Sequence, residues 1–367
     1  MTRLSLQSYR LLGRSGLRVS ALSLGTMTFG SDWGWGADED ESRRLFDTYV
    51  DRGGNFIDTA SMYTNGSSER LLGKFAAEKR EQLVIATKYT MNRRPGDPNA
   101  GGNHRKSMVR SVEESLKNLG TDYIDLLYLH VWDFTTPVEE ILRGLDDLVR
   151  QGKVLYLGIS DTPAWQVSRM QAIADLRGWS PLVALQVEYS LAERTIERDL
   201  APMAQELGLG LIPWSPLAGG VLTGKYKRED LKAEASANPA GTRHNVVLAH
   251  NMLTERNLDI AGEVGRVADE LGKSRAQVAL AWTLLNPAVT SPIIGARTLQ
   301  QLEDNLGALE VEFTDDQRRR LDEASMIDPG FPHSMIRLPM VQQVIFGGAQ
   351  VDRRLSAPSA LEPRMVP

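Results

Sequence analysis

The chain has 367 residues, with 42 lysines and arginines against 47 acids for a net charge of −5, and no cysteine. The 42% hydrophobic and 24% charged residues are the balance of a folded globular protein of one large domain or two ordinary ones. Disulfides, thiol nucleophiles and thiolate metal sites are excluded, no stretch is basic enough for nucleic acid, and no apolar run nears the ~20 residues of a membrane span.

In chain order, Tyr9–Leu12 and Leu17–Val19, joined by Gly13-Arg14-Ser15-Gly16, read as a hairpin that could plug the end of a larger sheet. Short apolar runs then alternate with stretches of helical period. Ala21–Leu24 precedes a helix over Asp38–Arg52, Asn55–Ile57 one over Ser67–Glu78, and Leu83–Ala86 one over Lys106–Leu119. Tyr123–Leu129 leads to Pro137–Arg150, Val154–Ile159 to Pro163–Leu176, and Leu182–Val187 to Glu197–Leu207. Leu209–Pro213 is followed by a long insertion, Gly219 to about Thr254, with the length of a lid or binding loop. Helical stretches at Arg256–Leu271 and Ser274–Leu285 precede the last run, Val289–Ile294, and its helix Leu299–Leu306. Eight βα units at roughly 30–40 residue spacing predict a (β/α)₈ TIM barrel, with the open doubly wound sheet as competitor. Residues 1–330 form one barrel domain in this reading, with an extra C-terminal helix, and 331–367 an extended, proline-bearing tail.

Active sites of such barrels lie where strands end. Asp58 follows the second strand and Tyr63 stands five residues on; Lys88 ends the third strand and His130 the fourth. Taken singly, Asp58 could cap a helix, Lys88 could be solvated and His130 could sit satisfied in the core. Together they are suited to carbonyl chemistry. A tyrosine near its ordinary value of ~10 is a poor acid. A neighbouring ammonium would lower that value, an aspartate could hold the ammonium, and a histidine could orient a carbonyl.

Gly54-Asn55-Phe56-Ile57-Asp58-Thr59-Ala60, then Tyr63, then Gly66-Ser67-Ser68-Glu69, resembles the signature of the aldo-keto reductase family. Lys88 after its apolar strand and His130 after Asp125-Leu126-Leu127-Tyr128 match the family's other two tetrad positions. The resemblance runs from about Tyr9 to Leu309 and is strongest to the branch of aryl-alcohol dehydrogenases and potassium-channel β subunits. It implies hydride exchange between NADPH, with NADH as the lesser option, and a small aldehyde or ketone. Tyr63 would be the general acid, Lys88 and Asp58 would tune it, and His130 would orient the substrate. The alternative within that branch is an NADP(H)-binding regulatory subunit, against which the intact set of four residues argues. A cytoplasmic enzyme with neither nucleic acid nor membrane as partner is expected, since Met1–Arg10 has no apolar signal core.

The same resemblance assigns the cofactor to Gly25, Thr26 and Met27 after the first run, and to Asp58, Ser160, Asp161 and Gln186. Many relatives carry asparagine where this chain has Asp161, whose carboxylate accepts from an amide but cannot donate. Trp214 could stack on the nicotinamide, and Ser215, Pro216, Leu217, Ala218, Gly219 and Lys225 resemble the diphosphate-wrapping segment. Gly295, Arg297, Gln301, Asp304 and Asn305 mark the helix start after the eighth strand, where Arg297 would take an adenosine 2′-phosphate. Trp33, with Trp35 beside it, and Trp132 could wall an aromatic substrate pocket or anchor their loops.

Gly219 to Gly224 with Lys225 has the spacing of a triphosphate loop, but Tyr226 stands where a magnesium-binding hydroxyl belongs. No Gly-x-Gly-x-x-Gly follows a strand. His244 and His250 lack metal-ligand spacing, so no metal is expected.

Overall fold

A computed structural model describes residues 4–232, 247–248 and 250–349. A two-stranded antiparallel hairpin, β1 (Arg10–Leu11) and β2 (Arg18–Val19), precedes eight parallel strands. These are β3 (Ser23–Gly25), β4 (Phe56–Asp58), β5 (Val84–Tyr89), β6 (Ile124–Leu129), β7 (Val154–Ser160), β8 (Leu182–Glu188), β9 (Gly210–Trp214) and β10 (Ile293–Gly295). From β3 to β9 each pairs with the next, and β10 returns to β3 with Ile293 opposite Ser23. The barrel closes between β9 and the segment before β10. Leu211 N donates to Ala288 O at 3.0 Å, and Thr290 N donates to Leu211 O at 2.8 Å. It is a (β/α)₈ barrel.

The helices around it are α1 (Glu39–Asp51), α2 (Ser67–Ala76), α3 (Arg105–Leu119), α4 (Val138–Arg150), α5 (Ala164–Arg177) and α6 (Leu200–Leu207). After them come α7 (Glu255–Leu271), α8 (Arg275–Thr283), α9 (Leu299–Leu306) and the extra helix α10 (Asp315–Ser325). Side-chain caps start many of them: Asp38 accepts from Glu41 N at 2.9 Å, and Ser274 and Thr314 form reciprocal capping boxes with Gln277 and Gln317. Strand residues facing outward, such as Ile85, Leu127 and Leu185, meet the apolar helix faces. Those facing inward fill the barrel: Phe56, Val84, Ala86, Leu126, Tyr128, Ala184 and Ile212.

The hairpin does plug the floor. Leu12 and Val19 are fully buried in that inner cluster, and Arg14 N donates to Gly208 O at 2.7 Å. Tyr128 fills the middle of the barrel because Gly158, its partner on β7, has no side chain. A Cβ there would lie 2.4 Å from the Tyr128 ring.

Three differences from the expected elements have physical causes. The eighth strand is shorter than Val289–Ile294, since Pro292 offers no N–H, and Val289 makes only an isolated bridge. The sixth helix starts at Leu200 after a tight 3₁₀ turn at Thr195–Glu197. The tail is helical where described, as α11 (His333–Ile336) and α12 (Pro339–Phe346), with Pro339 in the first turn where its missing N–H costs nothing. Within the insertion, Ala218–Thr223 and Arg228–Lys232 are 3₁₀ turns, while 233–246, including His244, lie outside the described residues. No helix among the described residues is long and apolar enough to cross a membrane.

Candidate active site

Strand parity sets the site. Side chains alternate across a strand, so the residue two beyond an inward-facing one also faces inward. Phe56 places Asp58, Ala86 places Lys88, Tyr128 places His130 and Ala184 places Gln186 at the C-terminal mouth. Ser160 on β7 and Trp214 on β9 complete the ring.

Lys88 and Asp58 are only 1% and 2% exposed. The ammonium spends its three protons locally, on Asp58 Oδ1 at 2.5 Å, Thr59 O at 2.8 Å and Tyr63 Oη at 3.3 Å. The other carboxylate oxygen, Asp58 Oδ2, accepts from Gln186 Nε2 at 2.8 Å. Burial alone would push the Lys88 ammonium down, but the Asp58 charge with Tyr63 more than offsets it, and the net displacement is upward. Lysine therefore stays charged at the base of the mouth.

Tyr63 is half-buried. Burial pushes its phenol up and outweighs the downward pull of Lys88, whereas the ammonium was expected to prevail. Because Lys88 donates to Tyr63 Oη, the tyrosine's own proton points elsewhere and remains available to a third group. The His130 ring lies edge-on to Tyr63 with centroids 6.0 Å apart. Burial and then the Lys88 charge hold the imidazole down at about 3, so it is neutral across the physiological range.

The turn carrying Tyr63 is strained and over-determined. Thr64, Asn65 and Gly66 are all left-handed, with φ of 44°, 53° and 87°. Thr64 Oγ1 donates to Phe29 O at 2.7 Å and accepts from Ser68 N at 3.0 Å. Ser68 in turn donates to Thr26 O at 2.7 Å, while Thr26 N donates to Asp58 O at 2.9 Å. These supports were not singled out in the sequence. A Gly-Ser-Ser run such as Gly66-Ser67-Ser68 is the kind of sequence that marks a turn, but hydroxyl partners on other loops cannot be read from spacing.

On the opposite rim, Ser160 has a buried Oγ with no partner among the described residues. Asp161 follows with a left-handed backbone at φ 37°, and its Oδ1 accepts from Trp214 Nε1 at 3.0 Å. Beyond Trp214, which is half-buried, Ser215, Ala218, Gly219 and Gly220 all have positive φ. Lys225 folds back over Gly220, where a Cβ would meet its Nζ at 2.7 Å.

Several other expected cofactor residues hold the frame. Gly25 lies against Ile293, Gln301 Oε1 accepts from Arg297 N at 2.9 Å, and Asn305 Nδ2 donates to Gly295 O at 3.2 Å. Asp304 accepts from the helix-capping Ser274 hydroxyl at 2.9 Å. Arg297 stands one residue before Thr298, the N-cap of α9.

The aldo/keto reductase family model matches residues 21–326. This chain belongs to the aldo/keto reductase family. It is 38% identical over 340 residues to a norsolorinic acid reductase of Aspergillus flavus, covering 89% of this chain and 84% of that one. It is 37% identical over 336 residues to an aryl-alcohol dehydrogenase [NADP(+)] of Phanerodontia chrysosporium, with 87% and 86% covered. An uncharacterized oxidoreductase of Bacillus subtilis is 41% identical over 327 residues, with 86% and 95% covered. The chain is accordingly an oxidoreductase.

In this aldo/keto reductase, aromatic rings crowd the outer mouth. Trp33 stands edge-on to Tyr63 at 6.4 Å and pairs with Trp35 at 5.6 Å. Trp132 is 6% exposed in the main apolar cluster, and its Nε1 has no partner among the described residues. Glu188, beyond Gln186 on β8, was not foreseen. Burial, then Glu193 and Asp161, push its carboxyl up to about 7. Nothing in the run Gln186-Val187-Glu188 distinguishes it from a solvated strand end.

Proposed function

We propose that this aldo/keto reductase reduces small aldehydes and ketones to alcohols with NADPH, reversibly, with Tyr63 as the proton donor. The observation that carries the reading is the direction of the hydrogen bonds: Lys88 donates to Tyr63 Oη, so the phenolic proton faces away from the ion pair. The residues at the mouth suit a nicotinamide dinucleotide. Ser160 offers a buried hydroxyl without a partner among the described residues, Trp214 an indole face, and Ser215 to Gly220 a tightly turning segment, left-handed at Ser215, Ala218, Gly219 and Gly220, whose backbone can approach phosphates. When bound, the reduced dinucleotide supplies a hydride to the carbonyl carbon.

The chain's own groups do the rest. Tyr63 gives its proton to the carbonyl oxygen as negative charge grows there, and the buried Lys88 cation stabilises the phenolate left behind. Neutral His130 can offer a hydrogen bond to the same oxygen without competing as an acid. Arg297 at the start of α9 suits a 2′-phosphate, and the relative named for NADP(+) supports the same cofactor. Trp33 and Trp35 beside Tyr63 favour flat aromatic substrates, in keeping with the relatives' names.

The test is Tyr63→Phe assayed with NADPH and benzaldehyde. Turnover is expected to fall by at least about 100-fold while NADPH still binds. A variant that keeps most of the activity would remove the role assigned to the hydroxyl.

A further inference from the structure

The two carboxylates of the inner mouth differ in what balances them. Asp58 is matched by Lys88 at 2.5 Å and by a Gln186 donor at 2.8 Å. Among the described residues Asp161 has no basic side chain within ion-pair distance, and its one side-chain donor is neutral, the indole N–H of Trp214 at 3.0 Å. Its backbone is pinned on both sides. Asp161 N donates to Gln186 O, and Asp161 O accepts from Trp132 N, each at 3.3 Å. The group is open to the mouth but crowded from below. Burial pushes its carboxyl up, while the Trp214 hydrogen bond and then the more distant Lys88 charge favour the ionised form. Of the other titratable groups around it among the described residues, His130 is neutral, Glu188 and Glu193 are acids, and His250, whose ring stands edge-on to Trp214, adds a weaker favourable charge than Lys88. Lys88 is already matched by Asp58, so Asp161 stands at this rim with no cation in direct contact among the described residues.

We infer that Asp161 is an electrostatic partner for the positively charged, oxidised nicotinamide ring, so that the site holds NADP+ more tightly than NADPH. The inference rests on the reading of this mouth as the dinucleotide site. The two forms of the cofactor differ at the ring by one unit of charge: the pyridinium is cationic and the dihydropyridine is neutral. A carboxylate fixed at the rim distinguishes them by Coulomb attraction, which is screened while the rim is open to solvent and strengthens as a bound ring excludes water from it. An asparagine at the same place would keep the acceptor for the Trp214 N–H and lose the discrimination. By linkage, tighter holding of the oxidised form makes the bound couple a stronger hydride donor, because Asp161 stabilises the charge that develops as hydride departs. It would also slow release of the oxidised cofactor after each reduction.

The experiment is an equilibrium titration of the full chain with NADP+ and with NADPH, followed by calorimetry, for the natural protein and for Asp161→Asn. The natural protein is expected to favour NADP+. The substitution is expected to weaken NADP+ about tenfold and to change NADPH by less than about twofold, an order of magnitude set by one screened charge at close range. Equal losses for both forms, or an unchanged ratio, would overturn the inference. Should the variant fail to fold, the natural protein decides alone, since equal or tighter binding of NADPH would refute the preference. If neither form binds to the natural protein, the dinucleotide reading itself fails and this inference falls with it.

Discussion

The side of the barrel mouth formed by β4 and β5 and the side formed by β7 to β9 are built in different ways. At β4 and β5, Lys88 uses all three protons on Asp58, Thr59 and Tyr63, and the turn beyond Tyr63 is locked through Thr64, Ser68 and Thr26. At β7 to β9, Asp161 meets Trp214 through a single hydrogen bond, Ser160 Oγ has no partner among the described residues, and the chain beyond Trp214 is left-handed at Ser215, Ala218, Gly219 and Gly220. The first side has its proton chemistry assembled by the fold. The second keeps donors and acceptors uncommitted, as a surface that must receive a large polar ligand requires. The same barrel thus separates a rigid proton-handling half from an open recognition half.

The contrast is broken most severely at Lys88. Lys88→Met keeps the length of the stem but leaves Asp58 buried with only the Gln186 donor. Losing one member of a buried pair costs about 3–5 kcal/mol. Chemical denaturation should show a loss of that size, together with loss of turnover. A variant of near-native stability would mean that Asp58 takes a proton readily or reaches water, and that the pair is less enclosed than its exposure indicates.

Much of this was legible because period-2 alternation and the barrel rule act together. Once Asn55–Ile57, Leu83–Ala86 and Tyr123–Leu129 are strands, Asp58, Lys88 and His130 must emerge on one rim. The hairpin plug was visible in the glycine turn between two short apolar runs, and Leu12 and Val19 do fill the barrel floor. What spacing could not supply was the bond from Gln186 to Asp58, which spans 128 positions in sequence. The direction of the Tyr63 shift was misjudged for a related reason. Proximity of Lys88 follows from strand order, but the cost of burying the phenol depends on Trp33, His130 and the loops that pack over it. Element ends were misplaced where prolines act: Pro292 delays the last strand, and Pro339 helps start a helix in a tail expected to be extended.

Glu188 sharpens the comparison on the open side, through pH. Its folded value of about 7 lies above the ordinary 4.5. Between those values the folded protein holds a proton that the unfolded chain has released, so stability falls as pH rises through that window and is flat above it. Glu188→Gln removes the titration. At pH 8 the variant should be more stable than the natural protein by at most about 3 kcal/mol, and the two should converge near pH 4.5. Urea midpoints at the two pH values measure this. A difference that grows toward acid pH would reverse the assigned cause, since burial and the Glu193 and Asp161 charges can only penalise the ionised form.

The smallest effect on the fold is expected at Trp214, and it separates stability from ligand electrostatics. Trp214→Phe keeps an aromatic face on β9 and deletes the N–H that Asp161 accepts at 3.0 Å. The bond lies at a solvent-open edge, so unfolding free energy should change by under about 1 kcal/mol. The carboxyl of Asp161 responds differently. It loses the donor that most favours its ionised form, and its titration, followed by carbon NMR of the aspartate side chain, should move upward. Were the loss of stability to approach that of Lys88→Met, the β7 to β9 side would be as tightly assembled as the β4 and β5 side. Were the titration unmoved, Trp214 would be packing beside Asp161 without setting its charge, and the preference for an oxidised ring would have to rest on Asp161 alone.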